Sequence, residues 1–178
     1  MKINLGSGSK LLPGYVNVDF NNTDADVIHD LNSFPYPFAV NSVDEIMIDN
    51  CLEHLDDVVA VMEEMHRILK PHGKLTVIVP YFRSNWAHID PTHKHFFTVD
   101  TLSYFDVDHK YHHRYKYSSK AKFSMIERKF NKNIDKSWFR HLVLIWANRY
   151  LNDYETYFSH FYPMEDITYI LEKTHGIK

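Results

Sequence analysis

The chain has 178 residues, of which 44% are hydrophobic, so it can bury one sizeable core and is too apolar for a disordered protein. The net charge is −3, and the single cysteine, Cys51, excludes an internal disulfide and a zinc site made of several cysteines. The sequence shows neither a signal-peptide pattern nor an apolar run near the ~20 residues that cross a bilayer. We therefore expect one domain, residues 1–178, in a cytoplasmic protein without a transmembrane segment.

The first elements are two short strands joined by a glycine-containing turn. Apolar runs at 3–5 and 15–18 flank Gly6 and Gly8, which can adopt positive φ and allow a bound group to approach the backbone. Asp19 follows the second run, where a carboxylate can accept hydrogen bonds from ribose hydroxyls. The third glycine of the dinucleotide fingerprint is missing, so a nucleotide-binding turn and a plain structural turn both remain open.

Two more strands, a helix and a buried strand are predicted next. Residues 27–30 and 43–48 form the strands, and Asp56 or Asp57 can cap a helix that begins near Val58. Apolar residues at helical spacing form one face of this helix: Val58, Val61, Met62, Met65 and Leu69. "KPHG" is predicted to end the helix, and "KLTVIVP" is a continuous apolar run, typical of a strand covered on both faces of a parallel sheet. This order predicts an α/β sheet layered between helices.

Polar residues follow several of these strands. The turn at 6–9, Asp19, Asp30 and the segment "DNCLEH" at 49–54 all come at carboxyl ends of predicted strands. Ligands of open α/β sheets bind at those ends. We therefore expect these four groups to meet at one edge of the sheet.

Three segments together resemble a known family. "NLGSGSKLLPGYVNVD", "HDLNSFPYPFAVNSVDEIMIDNCLEHL" and "EEMHRILKPHGKLTVIVPYF" are similar to successive motifs of class I S-adenosylmethionine-dependent methyltransferases of the small, type-11-like group. The resemblance covers residues 3–82 in order. It implies S-adenosylmethionine as cofactor and a Rossmann-like, mostly parallel sheet with an antiparallel last strand and helices on both faces. It further implies a cofactor half at about 1–82 and an acceptor half at about 83–178.

The same resemblance implies roles for individual residues. Gly6, Ser7 and Gly8 match the turn beside the methionine part of the cofactor, and Asp19 matches the residue that binds the ribose hydroxyls. The remaining matches are Asp30 and Leu31 beside the adenine, Asp49 and Asn50 in the loop over the sulfonium, and Glu53 and His54 in the recurrent "LEHL" signature. The first crossover has only about ten residues, so a short turn around Leu11 and Leu12 is expected in place of a first helix.

The C-terminal half is predicted to complete the sheet. "KYSSKAKFSMIERKFN" is a candidate sixth strand and "EDITYILEK" a candidate seventh. Between them, apolar residues recur at helical spacing: Trp138, Leu142, Ile145, Trp146 and Tyr150. This aromatic stripe has three open interpretations, namely core or a homodimer face, an acceptor pocket, and a membrane-surface patch.

A histidine-rich loop, "SNWAHIDPTHKHFFTVD" at 84–100, follows the fifth strand, where the acceptor would enter. Imidazole can act as a general base near neutral pH, so we predict His88, Asp90 and His93 as catalytic residues, with His88 or His93 removing the acceptor's proton. Together with His95 these residues also include ligand types for a divalent metal, although the spacing fits no defined motif. A third interpretation is structural, because "DPTH" is itself a good turn sequence.

Charge separates the two halves of the chain. Residues 1–109 hold seven Lys/Arg against sixteen Asp/Glu, whereas residues 110–149 hold eleven against two. From the resemblance we expect O-methylation of a small-molecule substrate in sugar, glycan or lipid precursor metabolism. The alternatives are a non-catalytic binding or regulatory subunit and a nucleic-acid methyltransferase that uses the basic 110–149 stretch, which "DNCL" in place of an Asn/Asp-Pro-Pro-aromatic loop disfavours.

Overall fold

A seven-stranded sheet organises the protein. The computed structural model describes residues 1–21, 24–114, 119–131 and 138–174. The strands are β1 (Lys2–Leu5), β2 (Val16–Asp19), β3 (Val27–Ile28), β4 (Val43–Asp49), β5 (Leu69–Pro80), β6 (Phe123–Phe130) and β7 (Asp166–Lys173). Their order is β3-β2-β1-β4-β5-β7-β6, and only β7 runs antiparallel to its neighbours. The predicted mostly parallel sheet with an antiparallel last strand is confirmed.

Helices fill the connections after β4. They are α1 (Val58–Ile68), α2 (Trp86–Ile89), α3 (Lys110–Arg114), α4 (Trp138–Arg149) and α5 (Leu151–Asp153). Two 3-10 turns, Leu52–His54 and Thr101–Phe105, and a π-helical segment, Tyr154–Phe158, complete the set. In the described parts of the chain, no helix combines the length and apolar character needed to span a bilayer.

The predicted helix α1 forms, but it ends earlier than expected. The Asp57 side chain caps it by accepting a hydrogen bond from the Ala60 backbone N–H at 3.0 Å. Its buried face comprises Val61, Glu64 and three further residues, Met62, Met65 and Ile68. The prediction that "KPHG" ends the helix is wrong: Leu69 already pairs with Val43 in the sheet, and pairing resumes only at Lys74. The segment is therefore an irregularity within β5.

The core lies along the central strands. The apolar run of β5 is buried at Leu75, Val77 and Val79, as are Ile46 and Ile48 of β4. Burying one such aliphatic side chain contributes about 1.5–3 kcal/mol. Long buried strands at the middle of the sheet therefore fix the positions of their carboxyl ends.

The short first crossover is held by buried amides rather than by a helix. The Asn4 side chain donates to the Lys10 carbonyl at 2.9 Å and to the Asn17 side-chain oxygen at 3.0 Å. Asn17 Oδ1 also accepts from the Leu12 backbone N–H at 2.8 Å. This network fixes the turn around Leu11 and Leu12 that the sequence predicts in place of a first helix.

The C-terminal half differs from the prediction in two places. Strand β6 is shorter than the predicted 116–131, and residues 116–118 of that prediction lie outside the described residues. Helix α4 forms as expected, but most of its aromatic stripe is exposed: Trp138 at 75%, and likewise Leu142, Ile145 and Tyr150. The core interpretation is therefore wrong for these four side chains, because no described element covers them. Trp146 is half-buried against Tyr154 and Phe158.

Candidate functional site

The turn after β1 and the end of β2 form one wall of an open cleft. Asp19 Oδ2 accepts a hydrogen bond from the Gly8 backbone N–H at 2.8 Å, and Ser7 N–H donates to the Val18 carbonyl at 3.0 Å. The cleft has a volume of about 400 Å³ and is lined by Gly8, Ser9, Leu11, Asp19, Asn21 and Asp24. Small-molecule sites in proteins have volumes of about 300–1,000 Å³. The cleft is therefore large enough for a nucleoside-sized ligand.

Gly6 is required at its position in this turn. Its φ is +63°, and a Cβ there would lie 2.2 Å from Cys51 Sγ and 2.7 Å from Cys51 Cβ. No side chain fits between the two loops, so the backbones after β1 and β4 approach each other closely. Burial raises the pKa of the Cys51 thiol to about 12, so this thiol stays neutral at physiological pH.

The loop after β4 lies beside this turn. Asp49 ends the strand, and its carboxylate forms an ion pair with Lys10 from the first crossover. Asn50 has a φ of +49° and donates its backbone N–H to the Ile78 carbonyl at 2.8 Å. Lys10 was not predicted as a site residue, because nothing in its local sequence distinguishes it from an exposed lysine.

The predicted adenine residues lie in a tight turn after β3. Asp30 Oδ1 accepts from the Asn32 backbone N–H at 2.9 Å, and Leu31 is buried. The Leu31 carbonyl accepts from the Tyr36 hydroxyl at 2.9 Å. Neither Asp30 nor Leu31 lines the cleft, whose lining residues come from the turn after β1 and from the end of β2 and the residues that follow it.

Asp166, the first residue of β7, brings another carboxyl group close to Asp49 at this edge of the sheet. Burial, with Glu165 and Asp49 nearby, raises the pKa of Asp166 to about 6, and Lys10 opposes the shift. Asp166 pairs with Pro80, so it lies at the carboxyl end of β5. The sequence analysis placed Asp166 in a strand but gave no reason to assign it to the site.

The histidine-rich loop is attached to the turn that follows β4. The backbone N–H groups of Lys94 and His95 donate to the Glu53 carbonyl at 2.8 and 3.2 Å. The His95 ring bonds the Leu55 carbonyl through Nε2 at 2.9 Å. These bonds hold the loop after β5 against the end of β4, which is where the sequence predicts the acceptor to enter.

The three predicted catalytic residues have different environments. His88 is exposed; its Nε2 bonds the Phe82 carbonyl at 2.8 Å, and its ring stacks on Phe96. Asp90 Oδ1 accepts from the backbone and the hydroxyl of Thr92. His93 Nδ1 bonds the Ala87 carbonyl at 3.1 Å.

His93 joins Glu53 and His54 in a compact group. The His93 and His54 rings are 4.6 Å apart between centroids, and His93 Nε2 lies 4.0 Å from Glu53 Oε1. Burial raises the pKa of Glu53 to about 7 and, together with His93, lowers the pKa of His54. His54, which the resemblance assigned to the cofactor, is bonded to Thr92 of the loop after β5. In the sequence Glu53 was noted only as part of the "LEHL" signature, and no pattern indicates that its side chain lies near His93.

The geometry of the cleft fits S-adenosylmethionine. Asp19 brings a carboxylate, a group that can accept hydrogen bonds from hydroxyls, to the cleft wall. A Cβ at Gly8 would meet nothing within 4 Å, so the backbone there is open to a ligand. Within the described residues, the buried Ser7 hydroxyl has no hydrogen-bond partner and remains free for a bound polar group. No metal is needed to explain these features.

Comparisons with known proteins agree with this fold. Residues 14–77 match a family model described as a methyltransferase domain. A methyltransferase complexed with the Trm112 methyltransferase activator from Haloferax volcanii is similar in structure, with 16% identity, a TM-score of 0.62, and coverage of 98% of this chain and 82% of that one. An S-adenosylmethionine-dependent methyltransferase from Archaeoglobus fulgidus has 17% identity, a TM-score of 0.62, and coverage of 97% and 85%.

A third similar structure is an S-adenosylmethionine-dependent methyltransferase from Mesorhizobium loti, with 11% identity, a TM-score of 0.58, and coverage of 97% and 90%. No curated protein matches the sequence. The family match and the fold confirm the resemblance drawn from the motifs. Residues 14–77 are therefore similar to a methyltransferase domain, and the fold of the chain is that of S-adenosylmethionine-dependent methyltransferases.

Proposed function

We propose that the protein transfers a methyl group from S-adenosylmethionine to a hydroxyl of a small-molecule acceptor, such as a sugar, glycan or lipid precursor. The observation that carries the proposal is the attachment of the His88–His95 loop to the turn after β4, through the Glu53 carbonyl. This contact places a loop rich in proton-accepting side chains at the carboxyl end of the strand next to the cofactor turn. Cofactor and acceptor sites then share one edge of the sheet.

The cofactor-binding residues proposed from the sequence are kept in this assignment. Asp19 binds the ribose hydroxyls, and the turn Gly6, Ser7 and Gly8 holds the methionine part. Asp30 and Leu31 contact the adenine, while Asp49, Asn50 and His54 border the sulfonium end. When bound, S-adenosylmethionine supplies an activated methyl group, so the protein contributes mainly alignment of the acceptor.

His88 is the better of the two proposed general bases. A carbonyl oxygen can only accept, so His88 Nε2 carries the proton in its bond to Phe82 and Nδ1 retains the lone pair. The exposed ring can therefore take a proton from an acceptor hydroxyl without first changing tautomer. His93 Nε2 instead faces Glu53. In this assignment Asp90 acts through Thr92 on His54 and orients that ring.

Calorimetric titration with S-adenosylmethionine and S-adenosylhomocysteine tests the cofactor site. We expect micromolar binding by the wild type and at least tenfold weaker binding by Asp19→Ala, because the carboxylate at the cleft is lost. Glu127→Gln is the matched control, since Glu127 forms an ion pair with Lys129 on strand β6, away from the cleft. A folded wild type that binds neither ligand would contradict the proposal and favour a non-catalytic subunit. With binding established, hydroxyl compounds are screened for formation of S-adenosylhomocysteine.

A second candidate is methylation of a macromolecule with the help of a partner protein. The exposed apolar face of α4, with Trp138, Leu142 and Ile145, favours it, since such faces commonly mark interaction sites. The Haloferax volcanii relative is a methyltransferase in complex with an activator protein. Nucleic acid is the competing macromolecule for the basic 110–149 stretch, and binding to it should weaken steeply with rising salt. Salt-insensitive association would favour a protein partner or a homodimer.

A further inference from the structure

A group of three metal-ligating side chains lies between the turn after β4 and the loop after β5. Glu53, His54 and His93 each bring one ligand atom within 4.8 Å of the other two. Glu53 and His54 are adjacent in sequence, but His93 follows His54 by 39 residues, so only the fold brings it to them. None of the three lines the cleft beside Asp19.

The carboxylate of this group lacks partners. Glu53 is 1% exposed, and neither of its side-chain oxygens has a hydrogen-bond partner within the described residues. His93 Nε2 lies 4.0 Å from Oε1, beyond hydrogen-bond distance. A buried polar group left in this state is costly unless something occupies the space that it faces.

Hydrogen bonds fix both imidazoles in the tautomer that a metal needs. His93 Nδ1 bonds the Ala87 carbonyl, which can only accept, so the His93 lone pair is on Nε2. The Thr92 hydroxyl donates its hydrogen to Asp90 Oδ1 at 2.7 Å, so the hydroxyl oxygen accepts from His54 Nδ1 at 2.9 Å. The His54 lone pair is therefore also on Nε2. Metal-binding histidines are usually oriented in this way, by a carbonyl or a carboxylate acting on the other ring nitrogen.

We propose that Glu53, His54 and His93 bind a divalent metal ion of the zinc type, with a fourth position open to water or to an acceptor oxygen. Two imidazoles and one carboxylate are a donor set of catalytic zinc sites. Bonds of ~2.0–2.2 Å in a tetrahedron place ligand atoms about 3.4 Å apart, so the side chains close by roughly 1 Å on binding. Zinc outranks manganese and iron for such ligands, and magnesium prefers oxygen.

Metal binding stands apart from methyl transfer, but its use in the reaction rests on the proposed function. A metal at this point of the acceptor loop would bind an acceptor hydroxyl and make it more acidic. His88 would then receive the proton, and His93 would be a ligand rather than a base. This assignment uses His88 and His93 of the loop without giving either of them two roles.

Titration with Zn²⁺ after treatment with chelator tests the site, using the full chain and a chromophoric competitor. We expect one Zn²⁺ per chain with micromolar or tighter affinity, and binding by Glu53→Gln and His93→Ala at least 100-fold weaker. Thr92→Val should weaken binding about tenfold or more by releasing His54. His95→Gln is the control, because the His95 ring lies two residues from His93 in sequence, bonds the Leu55 carbonyl and is not part of the three-residue group. Circular dichroism verifies that each variant folds.

Further measurements separate the possible outcomes. Substitution with Co²⁺ should give the visible absorption of a four-coordinate ion in the wild type and not in His93→Ala. Zn²⁺ binding that is absent, or equally strong in Glu53→Gln and His95→Gln, would overturn the metal site. A protein that binds S-adenosylmethionine but not Zn²⁺ contradicts only this inference, whereas one that binds Zn²⁺ but neither cofactor form contradicts only the proposed function.

Discussion

Replacing Gly6 by alanine should destabilise the protein more than the same change at Gly8, although both glycines have positive φ. The left-handed conformation costs a residue with a Cβ about 1–2 kcal/mol. At Gly8, with φ +48°, an added Cβ meets nothing within 4 Å, so only this cost applies. At Gly6 the Cβ would also lie 2.2 Å from Cys51 Sγ and 2.7 Å from Cys51 Cβ.

The contact with Cys51 sets the size of the expected difference. Overpacking of this kind typically costs 1–3 kcal/mol, so Gly6→Ala should lower the free energy of unfolding by about 2–5 kcal/mol in total. Gly8→Ala should lower it by about 1–2 kcal/mol. Rotating the cysteine moves Sγ away but leaves Cβ in place, so the backbone after β1 must shift. We therefore expect S-adenosylmethionine affinity to fall in Gly6→Ala through displacement of the turn.

Urea unfolding followed by circular dichroism measures both free energies, and calorimetry measures cofactor affinity. The double variant Gly6→Ala/Cys51→Gly removes both contacting atoms, and its coupling energy should return most of the extra 1–3 kcal/mol. Equal destabilisation by Gly6→Ala and Gly8→Ala, within 0.5 kcal/mol, would refute the close approach of the two loops. So would a double variant whose effects are simply additive.

Three further predictions concern a base, a carboxyl group and an ion pair. His88→Ala should lower kcat about 10²–10⁴-fold with little change in KM for the acceptor found by screening, and added imidazole should restore part of it; an unchanged kcat would remove His88 as base. The pKa of Asp166 is raised from 3.8 to about 6, so folding favours its protonated form, and the stability that this carboxyl group contributes is lost as the pH rises from 4 to 6. Asp166→Asn should remove this fall of up to about 3 kcal/mol in unfolding titrations, and identical pH profiles of the variant and the wild type would contradict the prediction. Arg67→Met should lower the free energy of unfolding by about 2–4 kcal/mol, because the buried Glu64 carboxylate loses its ion pair with Arg67. Adding Glu64→Gln to this variant should recover much of the loss, and a loss below 0.5 kcal/mol in Arg67→Met would show that the pair is unimportant.

The types of several elements, among them β5 and α1, were readable from the sequence because their patterns are local. The continuous apolar run of β5 and the spacing of Val61, Met62 and Met65 in α1 depend only on which face is buried. The motifs at 3–82 likewise indicated the family, since glycine and aspartate positions around a turn are set by chain geometry. The predicted ends of the elements were less accurate than their types. Leu69, predicted as part of helix α1, instead pairs with Val43 in the sheet.

Tertiary structure decided what the sequence left open. The aromatic stripe of α4 has the spacing of a core helix, and only the packing of its neighbours shows that Trp138 and Leu142 are exposed. The sequence by itself predicted a mostly parallel sheet of the methyltransferase type and a histidine-rich loop after β5. Only the fold could join Glu53 to His93 and hold His54 through Thr92, because the two segments meet through backbone hydrogen bonds between residues about 40 positions apart, which no local pattern encodes.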